Sequence, residues 1–137
     1  DLSRGLGDVY KRQAFELIID RDADYENIDA LSMASDNVWC AGVILGNPIE
    51  NWKNIDFNSL KSTLYWNDET PQEAIIKDAN PFDTLAWVIN LRLSLNLNIP
   101  KGSKIITGSV IKTRSPKKGD VVTYNVGNLS ETKIRLI

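Results

Sequence analysis

The sequence contains no histidine. Ser-His-Asp and Cys-His nucleophile systems, imidazole general bases, HExxH metalloprotease helices and Cys2His2 fingers are therefore excluded within this chain. Acid-base chemistry falls to carboxylates, lysine, tyrosine or bound water. Cysteine is almost absent too: Cys40 stands alone, so neither an internal disulfide nor a thiolate zinc cage can form, which fits a reducing compartment and makes the cytoplasm the default expectation. No run approaches the roughly 18 to 20 continuous apolar residues of a membrane-spanning helix, and the opening residues lack the apolar core of a secretory signal. Phosphate-cradling glycine loops of the Walker or dinucleotide spacing are missing. Nor is there an excess of positive charge: 16 Lys+Arg face 18 Asp+Glu, a net charge of -2, which does not collect a phosphate backbone. Neither nucleic acid nor a membrane is an expected partner.

What is present is an ordinary globular balance. Of 137 residues, 42% are hydrophobic and 25% charged, enough for one buried core and for one domain or part of one. Residues 1–13 (DLSRGLGDVYKRQ) show neither helical nor strand period. They are read as a non-native or displaced leader, similar to the translated junction sequence at the ends of some metagenomic reading frames, with residues 14–137 as the domain proper. Ala14 to Ile19 (AFELII) reads as a largely buried strand, Ile28 to Asp36 as a weak one-sided helix, and Trp39 to Leu45 as a strand stopped by Gly46-Asn47-Pro48. Trp52 and Phe57 are expected anchors in the polar connection that follows. Leu64 to Trp66 and Ala74 to Lys77 form a predicted hairpin around the turn Asn67 to Pro71. Asn80-Pro81-Phe82-Asp83 starts a helix, with Asn80 as the capping acceptor and Pro81 in the first turn. Leu91 to Ile99 alternates like a strand, but no Gly or Pro separates it from that helix, so helix is predicted through about Asn96. Lys104 to Thr107, Asp120 to Val126 and Thr132 to Ile137 read as a β-meander.

Candidate chemistry sits in few places. Glu16 is a carboxylate inside an apolar strand, costly to bury unless a base such as Arg21 or a divalent cation meets it. One carboxylate cannot hold Mg²⁺ unaided, so a metal site would draw further ligands from elsewhere. Asp20, Asp22 and Asp24 space like the start of an EF-hand, but Tyr25 and Leu31 occupy the positions that need Gly and Glu, leaving a solvated acidic turn. Asp36-Asn37 is either a helix-end turn or a polar pair aimed into a pocket. Thr107-Gly108-Ser109 is either a plain turn or a site whose hydroxyls and backbone N-H groups take a substrate carboxylate. Lys112, Arg114, Lys117 and Lys118 form a basic stretch that reads first as a solvated face.

In order and spacing, several of these segments resemble the C-terminal half of the fumarylacetoacetate hydrolase superfamily, in its 2-keto-4-pentenoate hydratase and 4-oxalocrotonate decarboxylase branch. The matches are AFEL at Ala14 to Leu17, ASDN at Ala34 to Asn37, VILG at Val43 to Gly46, NPFDTLAWVIN at Asn80 to Asn90 and ITGS at Ile106 to Ser109. Lys118-Gly119-Asp120 and Val126-Gly127-Asn128-Leu129 complete the series. The resemblance implies an α+β fold, a β-rich mixed-sheet roll with one main covering helix, present here as part of a domain. It implies a Mg²⁺ or Mn²⁺ ion held by three acidic residues, of which Glu16 would be the third. Asp36, Asn37, Thr107 and Ser109 would be substrate-binding residues.

The implied reaction is the addition of water to a 2-hydroxy-2,4-dienoate or 2-oxo-4-pentenoate in aromatic meta-cleavage catabolism, with a small 2-oxo acid as ligand and a homo-oligomer as the expected assembly. The rival readings are a 4-oxalocrotonate-type decarboxylase, an acylpyruvate hydrolase, or an inert fragment. Those hydrolases usually carry a Gly-Thr-Pro type sequence where Thr107-Gly108-Ser109 stands, which favours the hydratase branch. The sequence departs from the family in lacking the Glu-x-Glu pair that supplies the other metal ligands and the upstream lysine motif. Ile19 stands where the family usually has an acid, and Gly127-Asn128-Leu129-Ser130 replaces its Gly-Gly-Leu-Gly.

Overall fold

The computed structural model describes residues 11–137. In chain order it contains β1 (Lys11–Ile18), α1 (Ala30–Ser35), β2 (Cys40–Ile49), β3 (Lys61–Trp66), β4 (Gln72–Ile75), α2 (Pro81–Ser94), β5 (Val121–Val126) and β6 (Ser130–Arg135). β1 and β2 form an antiparallel pair, and the other strands form a second antiparallel sheet in the order β4-β3-β5-β6. The architecture is mixed α+β, with two sheets and one main helix.

The first pair runs further than the sequence pattern suggested. β1 opens at Lys11, so residues 11–13 of the expected leader lie inside the sheet, while residues 1–10 fall outside the described residues. β2 continues through Gly46, Asn47 and Pro48 instead of stopping there, because β1 supplies partners as far as Lys11 opposite Ile49. Proline is tolerated in an edge strand or beside a bulge, and the register slips between Arg12 and Ala14 next to Pro48. β1 is not the buried strand its apolar run implied: Glu16, Leu17, Ile18 and Ile19 are all exposed. Among the described residues its only ladder partner is β2.

The two sheets meet where β1 and β2 pack on β5 and β6. Buried Gln13 donates through Nε2 to the Ser130 carbonyl and accepts from Thr132 Oγ1 at 3.0 Å. Phe15 tilts against Tyr124 with ring centroids 6.1 Å apart. The buried apolar core consists of Ile49, Phe57, Leu64, Ile89, Val122 and Val126.

Helix α2 starts at Pro81 as predicted, but Asn80 caps it differently. Its backbone is left-handed (φ 43°) and its side chain makes no capping bond to the helix N-H groups; instead Nδ2 donates to Asp83 Oδ2 at 2.9 Å. The helix ends at Ser94, just short of Asn96, which is itself left-handed. Downstream, Lys104 to Thr107 is not a strand: no ladder partner reaches it among the described residues. The β3-β4 and β5-β6 hairpins form with boundaries shifted by one to three residues, and Ile76–Ala79 coils into a 3₁₀ turn where strand was expected.

Asp120 clamps the end of the larger sheet. Its carboxylate accepts from Asn67 Nδ2 (2.9 Å), the Lys117 backbone N-H (2.8 Å) and Trp66 Nε1 (3.1 Å). The Asn67 and Lys117 bonds lead in holding its pKa below the ordinary aspartate value of 3.8. A carboxylate whose folded pKa is depressed contributes stability above the unfolded value, and that contribution disappears as pH falls through the lower folded value. Urea midpoints are therefore expected to fall as pH drops below about 4. Asp120→Asn should be less stable at pH 7 and show a shallower acid loss. Parallel pH profiles for the two proteins would refute this assignment.

Candidate functional site

An open cleft of about 1150 Å³ runs between β1 and the segment 99–116, with Leu64, Trp66, Val122 and Tyr124 from the larger sheet on its floor. Residues 99–116 contain no helix or strand, and every one of them lines the cleft. An irregular stretch of that length in a compact unit is more often a functional wall than a simple connection.

Glu16 lies on the β1 side, opposite Val43 in the strand pairing, and lines the cleft. It makes no ion pair and no side-chain hydrogen bond among the described residues, and no set of three His, Cys, Asp or Glu residues converges there to hold a metal ion. The base considered as its partner is engaged elsewhere, since Arg21 forms an ion pair with Asp36. The sequence expectation of a buried carboxylate was therefore incorrect. Glu16 is exposed and faces the open cleft.

Thr107 and Ser109 line the same cleft as Glu16. Between them Gly108 adopts φ 101°, a conformation that disfavours a side chain. Ser109 is partly committed: its hydroxyl donates to the Ile111 carbonyl at 2.7 Å and accepts from the Ile111 N-H at 3.1 Å. The Thr107 hydroxyl has no hydrogen-bond partner among the described residues.

Asp36 and Asn37 are placed elsewhere. Asp36 lines a separate pocket of about 230 Å³ with Arg21, Met33 and Trp39, and Asn37 donates through Nδ2 to the Cys40 carbonyl at 3.1 Å. Neither lines the large cleft. Asn37, Val38 and Trp39 are all left-handed (φ 51°, 50° and 62°), so the pair closes a tight, strained corner between α1 and β2. The acidic turn before α1 behaves as a solvated loop: Asp20 accepts from the Tyr25 hydroxyl at 2.6 Å, and Asp24 accepts from Asn27 Nδ2 and the Glu26 N-H.

Three cleft residues were not picked out as site residues from the sequence. Lys11 sits 4.8 Å from the ring centroids of both Trp52 and Phe82, and burial lowers its amine pKa. Burial raises the Tyr124 phenol, so it remains a neutral hydrogen-bond donor across the physiological range. Arg114 lies 4.3 Å over the Trp66 ring and pairs with Glu69 through two contacts of 2.9 and 3.0 Å. Only Arg114 carried any sequence signal, as part of the basic stretch; the other two depend on long-range packing.

No family model matches the chain. Among curated proteins it is 25% identical over 122 residues to the 4-oxalocrotonate decarboxylase of Pseudomonas putida, covering 85% of this chain and 46% of that protein. It is 28% identical over an alignment of 148 residues to the 2-oxo-hept-4-ene-1,7-dioate hydratase of Escherichia coli, covering 96% and 54% respectively. The chain thus spans about half the length of these relatives, matching their C-terminal part. Two solved structures of the Pseudomonas putida G7 4-oxalocrotonate decarboxylase share its fold. The complex with calcium and acetate superposes with a TM-score of 0.78 at 24% identity, over 93% of this chain and 48% of that one. The complex with magnesium and adipate gives 0.81 at 23% identity, over 93% and 49%. The resemblance drawn from AFEL, NPFDTLAWVIN and ITGS is thus met by 4-oxalocrotonate decarboxylases and by a hydratase, the latter named for 2-oxo-hept-4-ene-1,7-dioate and not for 2-keto-4-pentenoate.

Proposed function

We propose that this chain carries the C-terminal part of a divalent-metal-dependent lyase of the fumarylacetoacetate hydrolase type, adding water to a 2-hydroxy-2,4-dienoate or its 2-oxo tautomer. The observation that carries the reading is the free Glu16 carboxylate on β1, facing a cleft whose other wall holds Thr107, Gly108 and Ser109. Decarboxylation of a 4-oxalocrotonate-like acid is the second reading, favoured by the decarboxylase relative from Pseudomonas putida.

The described residues fit one position of an oxygen-coordinated ion and no more. Glu16 is the single unpartnered acid on the cleft, since the other lining acid, Asp20, is bonded to Tyr25. A near-octahedral Mg²⁺ would take its remaining ligands from water, from substrate oxygens or from acidic side chains outside residues 11–137. Mn²⁺ is the alternative ion. Bound there, a divalent cation supplies Lewis-acid polarisation of the 2-oxo group.

The chain's own residues bind and orient. The Thr107 hydroxyl and the backbone around Gly108 offer donors to the substrate carboxylate. The Tyr124 phenol on the floor, kept neutral by burial, offers a hydrogen-bond donor to a substrate oxygen. Trp66, half-buried in the cleft lining, gives the carbon chain an apolar surface.

Calorimetric titration with Mg²⁺ tests the proposal. Weak binding is expected in the wild type, with affinity lowered at least about tenfold in Glu16→Ala, the scale of losing one charged ligand. Equal binding by both proteins, or none by either, would remove Glu16 from the role and the metal-dependent reading with it.

A further inference from the structure

The wall formed by residues 99–116 is fastened to the rest of the fold at very few points. None of its residues is fully buried. Its internal hydrogen bonds are local, from Ser103 to the Pro100 carbonyl and between Ser109 and Ile111. Just ahead of it, Arg92 Nη2 on α2 donates to the Asn98 carbonyl at 3.0 Å. From there to Pro116, among the described residues, one side chain alone makes a hydrogen bond or ion pair with another part of the fold, and it is Arg114.

Arg114 meets a prepared seat. Its Nη1 lies 2.9 Å from Glu69 Oε2 and its Nη2 3.0 Å from Glu69 Oε1, a two-pronged pairing, while the guanidinium carbon stands 4.3 Å from the Trp66 ring centroid. A planar fork serves both partners at once; a lysine ammonium is a single point of charge and cannot. The seat itself is held. Trp66 ends β3, and its Nε1 donates to Asp120, the carboxylate that also accepts from Asn67 Nδ2 and the Lys117 N-H. Glu69 sits in the β3-β4 turn, where its backbone N-H donates to the Trp66 carbonyl at 3.1 Å. Exposed single-contact ion pairs contribute little, but here the pairing is bidentate and Arg114 is only 28% exposed.

Between the two arginine-held ends the wall has means to move. Gly102 and Gly108 adopt φ 85° and 101°, and a Cβ built on either meets nothing within 4 Å. Neither glycine is there to admit a close neighbour; each is a place where the backbone can turn through angles that other residues resist. Thr107 lies between them and Ser109 just beyond, both on the cleft.

We propose that Arg114 is a positioning residue: latched on Glu69 and Trp66, it holds residues 99–116 as a strap that presents Thr107 and Ser109 to the cleft. The strap's bearing on ligand binding rests on the reading of the cleft as a 2-oxo acid site, whereas the latch stands on its own geometry. With the latch released, the strap spends less time in the binding geometry, and apparent affinity falls in proportion to the competent fraction.

Limited trypsin digestion of the whole chain, read by mass at Lys104 and Lys112, tests the latch, because local cleavage follows the population of the opened segment. Glu69→Gln is expected to speed cleavage at both sites about two- to fivefold, and Arg114→Lys, which also loses the stacking, roughly three- to tenfold. Cleavage at Lys133 in β6 and the melting midpoint should not change. Added NaCl should raise the wild-type rate toward that of Glu69→Gln and leave the variant's rate flat. Titration of 2-oxopentanoate in the presence of Mg²⁺ tests the positioning: Glu69→Gln should bind it about two- to fivefold more weakly while its affinity for Mg²⁺ alone stays that of the wild type. Equal cleavage rates in wild type and both variants would overturn the latch. Faster cleavage with unchanged 2-oxopentanoate affinity would overturn the positioning role and leave Arg114 as a fastening only. If neither protein binds the acid, the 2-oxo acid reading falls and takes the positioning role with it, while the digestion still decides the latch.

Discussion

Replacing Gly46 by alanine is expected to destabilise the protein by about 1–3 kcal/mol and to lower its melting midpoint by roughly 4–15 °C. A Cβ at this position would stand 2.1 Å from Thr132 Oγ1, 3.3 Å from the Gln13 carbonyl oxygen and 3.5 Å from Thr132 Cβ. The contact falls where β2 crosses β6, so it bears on the junction of the two sheets. Thr132 can yield only at a cost. It is 7% exposed, and its hydroxyl donates to Gln13 Oε1; rotating it away from a new methyl strands a buried acceptor. Opposing this, alanine reduces the freedom of the unfolded chain by about 0.4–1 kcal/mol. The steric term wins because a 2.1 Å approach is far inside van der Waals contact and the neighbouring atoms are packed. Gly46→Ala combined with Thr132→Ala should recover part of the loss, giving a coupling energy of sign opposite to the single changes. An unaltered melting midpoint in Gly46→Ala would show that the sheets slide apart freely.

The sequence could show this crossing only as punctuation. Gly46-Asn47-Pro48 looks like the end of a strand, because local composition reports turn chemistry and not the approach of a strand more than 80 residues away. Glu16 illustrates the same limit. Its apolar neighbours Phe15, Leu17 and Ile18 suggest burial, but burial depends on a layer facing them, and among the described residues β1 has only β2 beside it. Lys104 to Thr107 has strand composition without a strand to pair with. By contrast, helix α2 was legible because its signals are local: proline in the first turn, an acid beside it, and leucines without interruption. The β5-β6 hairpin was legible for the same reason, its two runs being separated by Gly127, Asn128 and Leu129 alone.

Candidate site residues divide along that line. Thr107 and Ser109 were recognised as a turn with hydroxyls, and the fold brings them to the cleft that Glu16 also lines. Asp36 and Asn37 were recognised as a polar pair at a helix end, which they are; a partner 15 residues earlier, Arg21, engages the aspartate outside the cleft. Tyr124 sits in an alternating strand where nothing in the pattern distinguishes a core aromatic from a cleft donor. The difference lies in which wall stands opposite, and here that wall is the irregular segment 99–116.

Phe57→Ala is expected to have the largest effect of any single truncation, about 3–4 kcal/mol. Phe57 is 8% exposed and meets Phe82 edge-to-face, with ring centroids 5.7 Å apart. Phe82 belongs to the first turn of α2, whose sole buried residue is Ile89. The aromatic pair is thus one of few apolar attachments of the helix, because Trp87, Leu91 and Leu93 point to solvent. Truncation removes the ring and its pairing energy, the latter about 0.5–1.5 kcal/mol beyond area burial. The space beside Phe57 opens into the cleft, so water can enter the vacated volume, which keeps the cost near the lower end of the usual Phe→Ala range. Against a total stability of about 5–15 kcal/mol, the loss should shift the urea midpoint markedly. Phe57→Leu, which fills most of the volume, should cost about 1 kcal/mol. Backbone hydrogen exchange separates local from global damage: α2 amides should exchange faster in Phe57→Ala by a larger factor than those of β5. Uniform acceleration across both elements would mean that Phe57 stabilises the whole core and not specifically the attachment of the helix.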